Sequence, residues 1–394
     1  MKFMKNILKT ITICILMGLF SANFISFAGN GDRSGQAGAQ HLLIDPWART
    51  NGWGTAGVAE VRGLESIFSN VAGIAFVNKT EVGITRTQYL SGSGAGISIN
   101  AFAVVQALRK FDKTSKSYKN LGTLGISVFN MGFGDIPVTT VDQPDGTSAI
   151  FSPRLNYIGL HYAYSFNQYI KGGIGIKIIN ESISDLVSTG IAIDAGVQYV
   201  SGMFNNFKIG VTLKNLGMPT SYSGDGIAMR ANPINSDVEL TLETRSAEAV
   251  LPACLVIGTS YDFLFFTDEY KGMSKDDLRD ADLTRKDAIH RLTFAGAFTA
   301  NAYSNDIFAI GVEYGFKQYA MFRAGYTYES GQFDISTSKT FYTGPSVGVT
   351  FGVPLSVKKD NSKDFSPTIL YIDYGYRFTN RWQGNHYVGL KIDL

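Results

Sequence analysis

Short segments of the chain alternate between apolar residues and polar or small residues with a period of two. In "TILYIDYGYRF" one set comprises Leu370, Ile372, Tyr374, Tyr376 and Phe378, and the other comprises Tyr371, Asp373, Gly375 and Arg377. Successive side chains of a β-strand point to opposite faces, so strict alternation predicts strands. One face of these strands is apolar and aromatic, whereas the other carries Gly, Thr and charged residues.

Fourteen such segments follow one another from about residue 80. They lie near 80–90, 95–106, 120–133, 154–166, 169–181, 189–200, 207–215, 253–264, 290–300, 306–316, 319–329, 344–353, 367–378 and 385–394. A soluble sandwich shows its polar face to water, whereas an outer-membrane barrel turns its polar face to the lumen. The predicted fold is therefore all-β: a transmembrane antiparallel β-barrel of about fourteen strands.

The predicted connections alternate between short and long. Short links occur at 166–169, 203–207 and 316–319, and long ones at 134–153, 182–188, 216–252 and 330–343. In barrels of this class the short turns face the periplasm and the long loops face outward. One periplasmic connection breaks this habit, because residues 267–287 carry seven acids and five bases. This segment is either a solvated helix or loop, or an element that docks a periplasmic partner.

Composition supports a membrane barrel. Charged residues make up 17% of the chain, below the roughly 25% that is typical of soluble domains. The chain contains 43 Gly, 27 Phe and 20 Tyr. No internal run offers the roughly 20 apolar residues of a membrane helix. A β-barrel spreads its lipid-facing residues over every second position instead.

The N-terminus reads as a secretory signal peptide. Three lysines precede an apolar stretch from Ile11 to Phe20, and Ser26-Phe27-Ala28 has the small-x-small pattern of a cleavage site. The alternative is a membrane anchor, but the apolar stretch is short for one. Cleavage after Ala28 lowers the formal charge from +2 to −1. No nucleic-acid partner is expected at that charge.

The sequence shows no catalytic, cofactor-binding or metal-binding group, so neither an enzyme nor a cofactor is predicted. Cys254 is the single cysteine after residue 28 and reads as an apolar strand residue. The histidines lack metal-type spacing, and a G-x-S-x-G elbow is absent. His161 is predicted to face the lumen. A lipid hydrolase assembled across strands would need a serine and an acid near this histidine.

A literal G-x-G-x-x-G, formed by Gly52, Gly54 and Gly57, raises the question of a nucleotide site. That motif binds dinucleotides only between a strand and a helix of a βαβ unit, with an acid about 20 residues further on. Here no strand-helix alternation follows, and Glu81 lies beyond the expected distance. A nucleotide site is therefore not predicted.

The surrounding segment, "HLLIDPWARTNGWGTAGVAEVRGLESIFSNVAGIAF" (41–76), resembles the entry segment of the PorV/PorQ family of Bacteroidota outer-membrane proteins. The matching residues are Leu43, Ile44, Pro46, Ala48, Arg49, Gly52, Gly54, Gly57, Val58, Ala59, Asn70, Ala72 and Gly73. Val71 stands where the family usually has Pro, and Trp53 where Met is common. The segments "LKNLGMPTSY" (213–222), "LPACLVIG" (251–258) and "FRAGYTYESG" (322–331) extend the resemblance.

The resemblance implies a FadL-like architecture, with fourteen strands and an N-terminal segment packed in or near the lumen. Its glycines would let the backbone pass close to the barrel wall. The expected organisation is a signal peptide at 1–28, a lumen-associated segment at 29–79 and an outer-membrane barrel at 80–394. The resemblance also implies a role in type IX protein secretion.

Two functions follow as hypotheses. The first is a secretion component that binds sorting-domain cargo and translocon or attachment partners through the loops 134–153, 216–252 and 330–343. The alternative is a FadL-like channel for hydrophobic small molecules. Charged residues on the predicted lumen face either fill the barrel as ion pairs or line a polar path: Asp194, Lys214, Glu313, Arg323, Asp373, Arg377, Lys391 and Asp393.

Overall fold

Fourteen antiparallel strands form the wall in the computed structural model. It describes residues 29–92, 94, 96–112, 117–202, 204–232, 239–242, 244–266, 285–334, 336, 338–355 and 368–394. The strands are β1 (Thr80–Gln88), β2 (Ser98–Asp112), β3 (Ser117–Gly132), β4 (Arg154–Ser165), β5 (Ile170–Ile183), β6 (Leu186–Ser201), β7 (Phe207–Gly217), β8 (Cys254–Phe265), β9 (His290–Asn301), β10 (Ile307–Phe316), β11 (Ala320–Glu329), β12 (Tyr342–Pro354), β13 (Ile369–Thr379) and β14 (Asn385–Asp393).

The sheet is closed. Each strand pairs with its neighbours in sequence, and β1 pairs with β14 from Glu81 opposite Asp393 to Gln88 opposite His386. Closure removes the exposed sheet edges, which is the condition for a sheet to cross a bilayer. The prediction of an all-β barrel with an even number of strands is confirmed. Among the described residues, no helix is long and apolar enough to span a membrane.

The two faces of the wall fall as the alternation predicted. Ile372 and Tyr374 point outward and are exposed, whereas Asp373 and Arg377 point into the barrel and are buried. His161 also faces inward, with 1% of its surface exposed. The outward face is a continuous band of Ile, Leu, Val, Phe and Tyr, which suits lipid.

Residues 29–79, called the plug below, pass through the lumen. They contain one short α-helix, α1 (Ala48–Gly52), and the 3₁₀ helices Gly31–Arg33, Gln40–Leu43, Ala56–Ala59, Leu64–Phe68 and Val71–Phe76. The plug begins at the rim with the long loops, where the Asn30 amide donates to the Asn301 carbonyl. It ends at Thr80, where β1 starts at the opposite rim. The signal peptide stays a prediction, because residues 1–28 lie outside the described part.

The largest hydrophobic cluster lies between the plug and the wall strands β2 to β6. Trp47 and Phe68 of the plug pack with ring centroids 6.2 Å apart, and Phe68 packs against Tyr157 of β4 at 6.1 Å. Phe129 stacks on Tyr157 at 4.8 Å. The plug and one side of the barrel thus share one apolar core.

The connections confirm most of the predicted pattern, with one correction. The predicted long loop at 182–188 is wrong: β5 and β6 are joined by Ser184 and Asp185 alone, and Ser184 has a φ of 50°. The loop 216–252 contains a small hairpin that pairs Met229–Ala231 with Leu240–Leu242. In the loop 134–153, Ile136–Pro137 pairs with Ile150–Phe151. Residues 267–284 of the charged periplasmic segment lie outside the described residues.

Candidate functional site

Buried charges bind the plug to the wall at the periplasmic end. Glu60 of the plug contacts Lys208 of β7 and Arg285, which lies just before β9. Lys208 also binds Asp262 of β8 at 2.6 Å, and Arg285 binds Asp262 at 3.2 Å. Glu313 of β10 lies 4.0 Å from Arg285. These five residues are called the Glu60 cluster below.

The electrostatics of this cluster favour ionised Glu60. Burial alone would raise the pKa of Glu60, but Arg285 and Lys208 outweigh burial and hold the pKa well below its usual range. Glu65 supplies a second tie, because its Oε2 lies 3.5 Å from both Arg49 of the plug and Lys391 of β14. Glu60 therefore stays charged despite its burial because cations surround it.

Half of the eight predicted lumen residues form ion pairs: Asp194, Glu313, Arg323 and Lys391. Glu313 contacts Arg291 and Arg323, Asp373 accepts a hydrogen bond from Thr350, and Lys177 binds Asp194 at 2.6 Å. Lys214 instead donates to the Phe68 carbonyl at 2.6 Å. Arg377 lies over the ring of Tyr342 at 3.7 Å, and Asp393 is half-buried at the end of β14. The interior of the barrel wall is thus largely a charge network that faces the plug.

Two segments of the sequence resemblance meet at a bulge in β7. The register between β6 and β7 shifts beside Asp194, where Asn215 adopts a φ of 60°. The Asn215 amide donates to Asp194 at 2.8 Å, and its side chain donates to the carbonyls of Leu42 and Pro252 at 3.3 Å. A buried asparagine tolerates this left-handed backbone conformation. Its hydrogen bonds connect three segments of the chain. The Asn-Leu-Gly and Leu-Pro segments therefore join the plug to the wall.

The glycines of the G-x-G-x-x-G segment also serve contact with the wall. A methyl group on Gly52 would lie 3.0 Å from the Gly348 Cα of β12. The carbonyl of Gly54 accepts a hydrogen bond from Thr327 of β11 at 2.6 Å. Gly54 has a φ of 61°, a region that favours glycine. The motif thus fits the plug against β11 and β12.

His161 and Ser127 form a hydrogen-bonded pair in the wall. Ser127 Oγ and His161 Nε2 lie 2.9 Å apart, and both residues are almost fully buried. A nucleophile needs space beside it for the reacting carbonyl group. Neither residue lines either of the two cavities described below, and Ile67 of the plug packs over this part of the wall. The pair therefore fits a structural role.

A cavity of about 450 Å³ opens between the plug and the extracellular half of the wall. Its apolar side is formed by Leu43, Ile44, Tyr89, Met131, Phe133, Leu155, Ile307, Phe341, Tyr342 and Tyr387. A few polar groups interrupt this lining, among them His41, Asp45, Glu329, Gln332 and Arg377. Ligand sites are typically apolar clefts of about 300–1,000 Å³ with a small number of placed polar groups.

A second cavity of about 430 Å³ adjoins the first. The two share several lining residues: Gln40, Leu43, Asp45, Thr55, Ile307, Glu329, Thr340 and Phe341. Burial raises the pKa of Asp45 to about 7, because its carboxyl group sits at the plug surface with little access to water. The two cavities therefore form one vestibule, with the Asp45 carboxyl group lining both halves.

Sequence reasoning missed this vestibule. Its residues come from the plug, from ten strands and from the connections between them, so no local pattern marks it. Glu329 offered one signal. It is a charged residue at the end of β11, on the face that the alternation predicts to point inward. Glu60 and Glu65 carried no such signal, because the plug has no period-two pattern.

No family model and no curated protein matches the chain. Solved structures of outer-membrane transport proteins are similar to it, among them the following three. The toluene transporter TbuX of Ralstonia pickettii has 13% identity and a TM-score of 0.48, with 89% of this chain and 97% of TbuX covered. The toluene transporter TodX of Pseudomonas putida has 12% identity, a TM-score of 0.45, and coverages of 89% and 96%. A FadL homologue of Pseudomonas aeruginosa has 13% identity, a TM-score of 0.45, and coverages of 88% and 97%.

The closed wall and its apolar exterior decide the location of the chain. The protein is an outer-membrane β-barrel. Its partner in that setting is the lipid that covers the outward face. None of the comparisons supports the PorV/PorQ resemblance of residues 41–76.

Proposed function

We propose that the protein is an outer-membrane channel for hydrophobic small molecules. The observation that supports this proposal is the apolar vestibule at the extracellular end. It lies above a plug that is bound to the wall by ion pairs. An apolar solute that reaches this mouth gains free energy by leaving water, at roughly 25 cal/mol per Å² of buried apolar surface. The solute then stays bound above the plug until the plug moves, and this movement lets the solute pass to the periplasm.

The geometry of the vestibule fits a small solute better than a protein domain. Its rings, Tyr89, Phe341, Tyr342 and Tyr387, face a space of about 450 Å³. Aromatic rings bind one another in offset or edge-to-face arrangements, so an aromatic ring is a suitable guest. A cargo protein would have to use the loops instead. The type IX role and its sorting-domain partners stay a prediction from sequence resemblance.

Filling the vestibule tests the proposal. Leu43 lies on the plug, lines both cavities and is 38% exposed. In Leu43→Trp the larger side chain occupies the space of the solute, so toluene should bind at least tenfold more weakly in calorimetry of the detergent-solubilised chain. Uptake of labelled toluene by cells that carry the variant should fall as well.

Leu242→Trp is the matched control, because Leu242 is an exposed leucine of the loop hairpin outside the vestibule. It should bind and take up toluene like the unmodified chain. The proposal fails if the unmodified chain binds no toluene, or if Leu43→Trp binds it as tightly as the control does.

A further inference from the structure

A buried carboxyl group with one unpaired oxygen faces the vestibule. Glu329 ends β11, is 6% exposed and lines both cavities. Its Oε1 accepts no hydrogen bond from the described residues. The nearby Gln332 does not fill this role, because its amide donates to the Tyr326 hydroxyl at 3.2 Å and to the Thr343 carbonyl at 3.3 Å. An unmet acceptor in a buried place calls for a donor.

Two plug residues add unmet groups to the same space. Asp45 also lines both cavities; its Oδ1 accepts the Trp47 amide at 2.9 Å, whereas its Oδ2 has no partner among the described residues. His41 is 2% exposed and lines the first cavity, and its Nε2 is likewise unpaired within the described residues. Three polar side chains, one from β11 and two from the plug, therefore line the vestibule, and each has an atom without a hydrogen-bond partner in the described part of the chain.

Two lysines near the vestibule are engaged elsewhere. Lys214 donates to the Phe68 carbonyl, and Lys339 donates to the Gly31 carbonyl. Arg377 lines the first cavity alone; its guanidinium lies over the Tyr342 ring, and its Nε has no hydrogen-bond partner among the described residues. The carboxyl groups of Asp45 and Glu329 line both cavities. The space that the two cavities share therefore presents unpaired acceptors, whereas the unpaired donor of Arg377 belongs to the first cavity only.

We propose that this vestibule selects hydrophobic molecules that carry one hydrogen-bond donor, a hydroxyl or a protonated amine, beside an apolar ring or chain. The donor binds Glu329, with Asp45 as the second acceptor, and the apolar part packs on the rings of the wall. This inference rests on the proposed channel function and adds its selectivity. A plain hydrocarbon enters the same space but leaves the acceptors unpaired.

A matched series of one-ring probes tests the channel function and the donor selectivity separately. Toluene, p-cresol, benzylamine and benzoate have similar apolar parts and differ in the polar group. The full chain in detergent should bind p-cresol and benzylamine about tenfold more tightly than toluene, because their donor meets a buried acceptor that toluene leaves unpaired. Benzoate should bind most weakly, because its charge repels the carboxylates. Calorimetry measures all four.

The variant Glu329→Met assigns the preference to its residue. Methionine keeps the length and flexibility of the side chain and removes the acceptor. The advantage of p-cresol over toluene should shrink from about tenfold to about threefold or less, while toluene should bind as well as before or better. Bound toluene also reports that the variant is folded. Glu248→Gln, an exposed loop carboxyl group outside the lining, should leave the whole series unchanged.

The outcomes are distinct. If toluene binds and p-cresol gains nothing, or if the preference survives in Glu329→Met, the donor selectivity is wrong while the channel proposal stands. If benzoate binds most tightly, Arg377 is the recognising group and the inference is overturned. If none of the four binds, the channel proposal itself fails.

Discussion

Single glycines in the wall set how closely the plug can approach. A methyl group on Gly325 of β11 would lie 2.5 Å from the Trp53 carbonyl oxygen and from the Gly54 nitrogen. Both are backbone atoms of the plug and cannot rotate away. Gly296 of β9 has nothing nearer than the Ala309 carbonyl at 3.8 Å. The two positions are therefore a matched pair, one crowded and one open.

We expect Gly325→Ala to lower the free energy of unfolding by about 1–3 kcal/mol, because overpacking forces the plug or the strand to shift. Gly296→Ala should change it by less than about 0.5 kcal/mol. Urea titration in micelles, followed by the mobility difference between folded and unfolded protein on gels, measures both. Equal stability of the two variants would show that the plug does not press on β11.

The sequence located inward-facing residues but not their partners. Alternation alone placed Glu313, Arg323 and Asp373 inside the barrel, and the structure buries all three. The pairing of the wall with the plug was out of reach, because Glu60 of the plug and Lys208 of β7 are 148 residues apart. A period of two fixes the direction of a side chain, whereas the register between distant segments decides what it meets.

At the scale of elements, β13 offers the test of register. Ile372 is 43% exposed on the lipid side, and Asp373 is buried beside Thr350. Ile372→Arg should cost about 2–4 kcal/mol, since it moves a charge into hydrocarbon near the middle of the strand. Asp373→Asn should cost less, because an amide still accepts the hydrogen bond of Thr350. Refolding yield into lipid vesicles at graded urea compares them, and the reverse order would mean that the strand faces are exchanged.

The turn between β5 and β6 shows why one element boundary was wrong. The polar run around Glu181, Ser182 and Asp185 reads as a loop. In the structure Glu181 lies on the inward face of an extended β5, 3.2 Å from His41 of the plug, and it accepts a hydrogen bond from Tyr222 at 2.9 Å. Polar residues continue a strand here because the lumen, the plug and a neighbouring loop supply their partners. Such partners leave no trace in the local sequence.

At the scale of the whole molecule, the plug separates the vestibule from the periplasm. Its chain runs from the extracellular rim to the start of β1, and Trp53 and Leu64 within it are fully buried. Below the vestibule the Glu60 cluster ties this chain to β7, β8 and β10. In the channel proposed above, a solute that binds at the mouth passes when the plug moves. The Glu60 cluster is, in that proposal, the place where the plug is held closed.

Weakening that cluster should open the molecule. Glu60→Gln removes one carboxylate from a buried group of charges, and breaking such a pair costs about 3–5 kcal/mol. Lys208 and Arg285 then face each other with less negative charge between them. The plug should therefore detach from this part of the wall more often. The readout is the reactivity of Ala56→Cys, at a fully buried plug residue, in a chain where Cys254→Ala removes the single cysteine after residue 28. A water-soluble maleimide should label this thiol at least tenfold faster in Glu60→Gln, and ion conductance across planar bilayers should rise in parallel.

Glu248→Gln, which removes a carboxyl group from an exposed loop, is the control and should change neither the labelling rate nor the conductance. If labelling stays slow while the barrel remains inserted and heat-modifiable, the plug is held by its apolar contacts with β2 to β6, and the Glu60 cluster is not what keeps the channel closed.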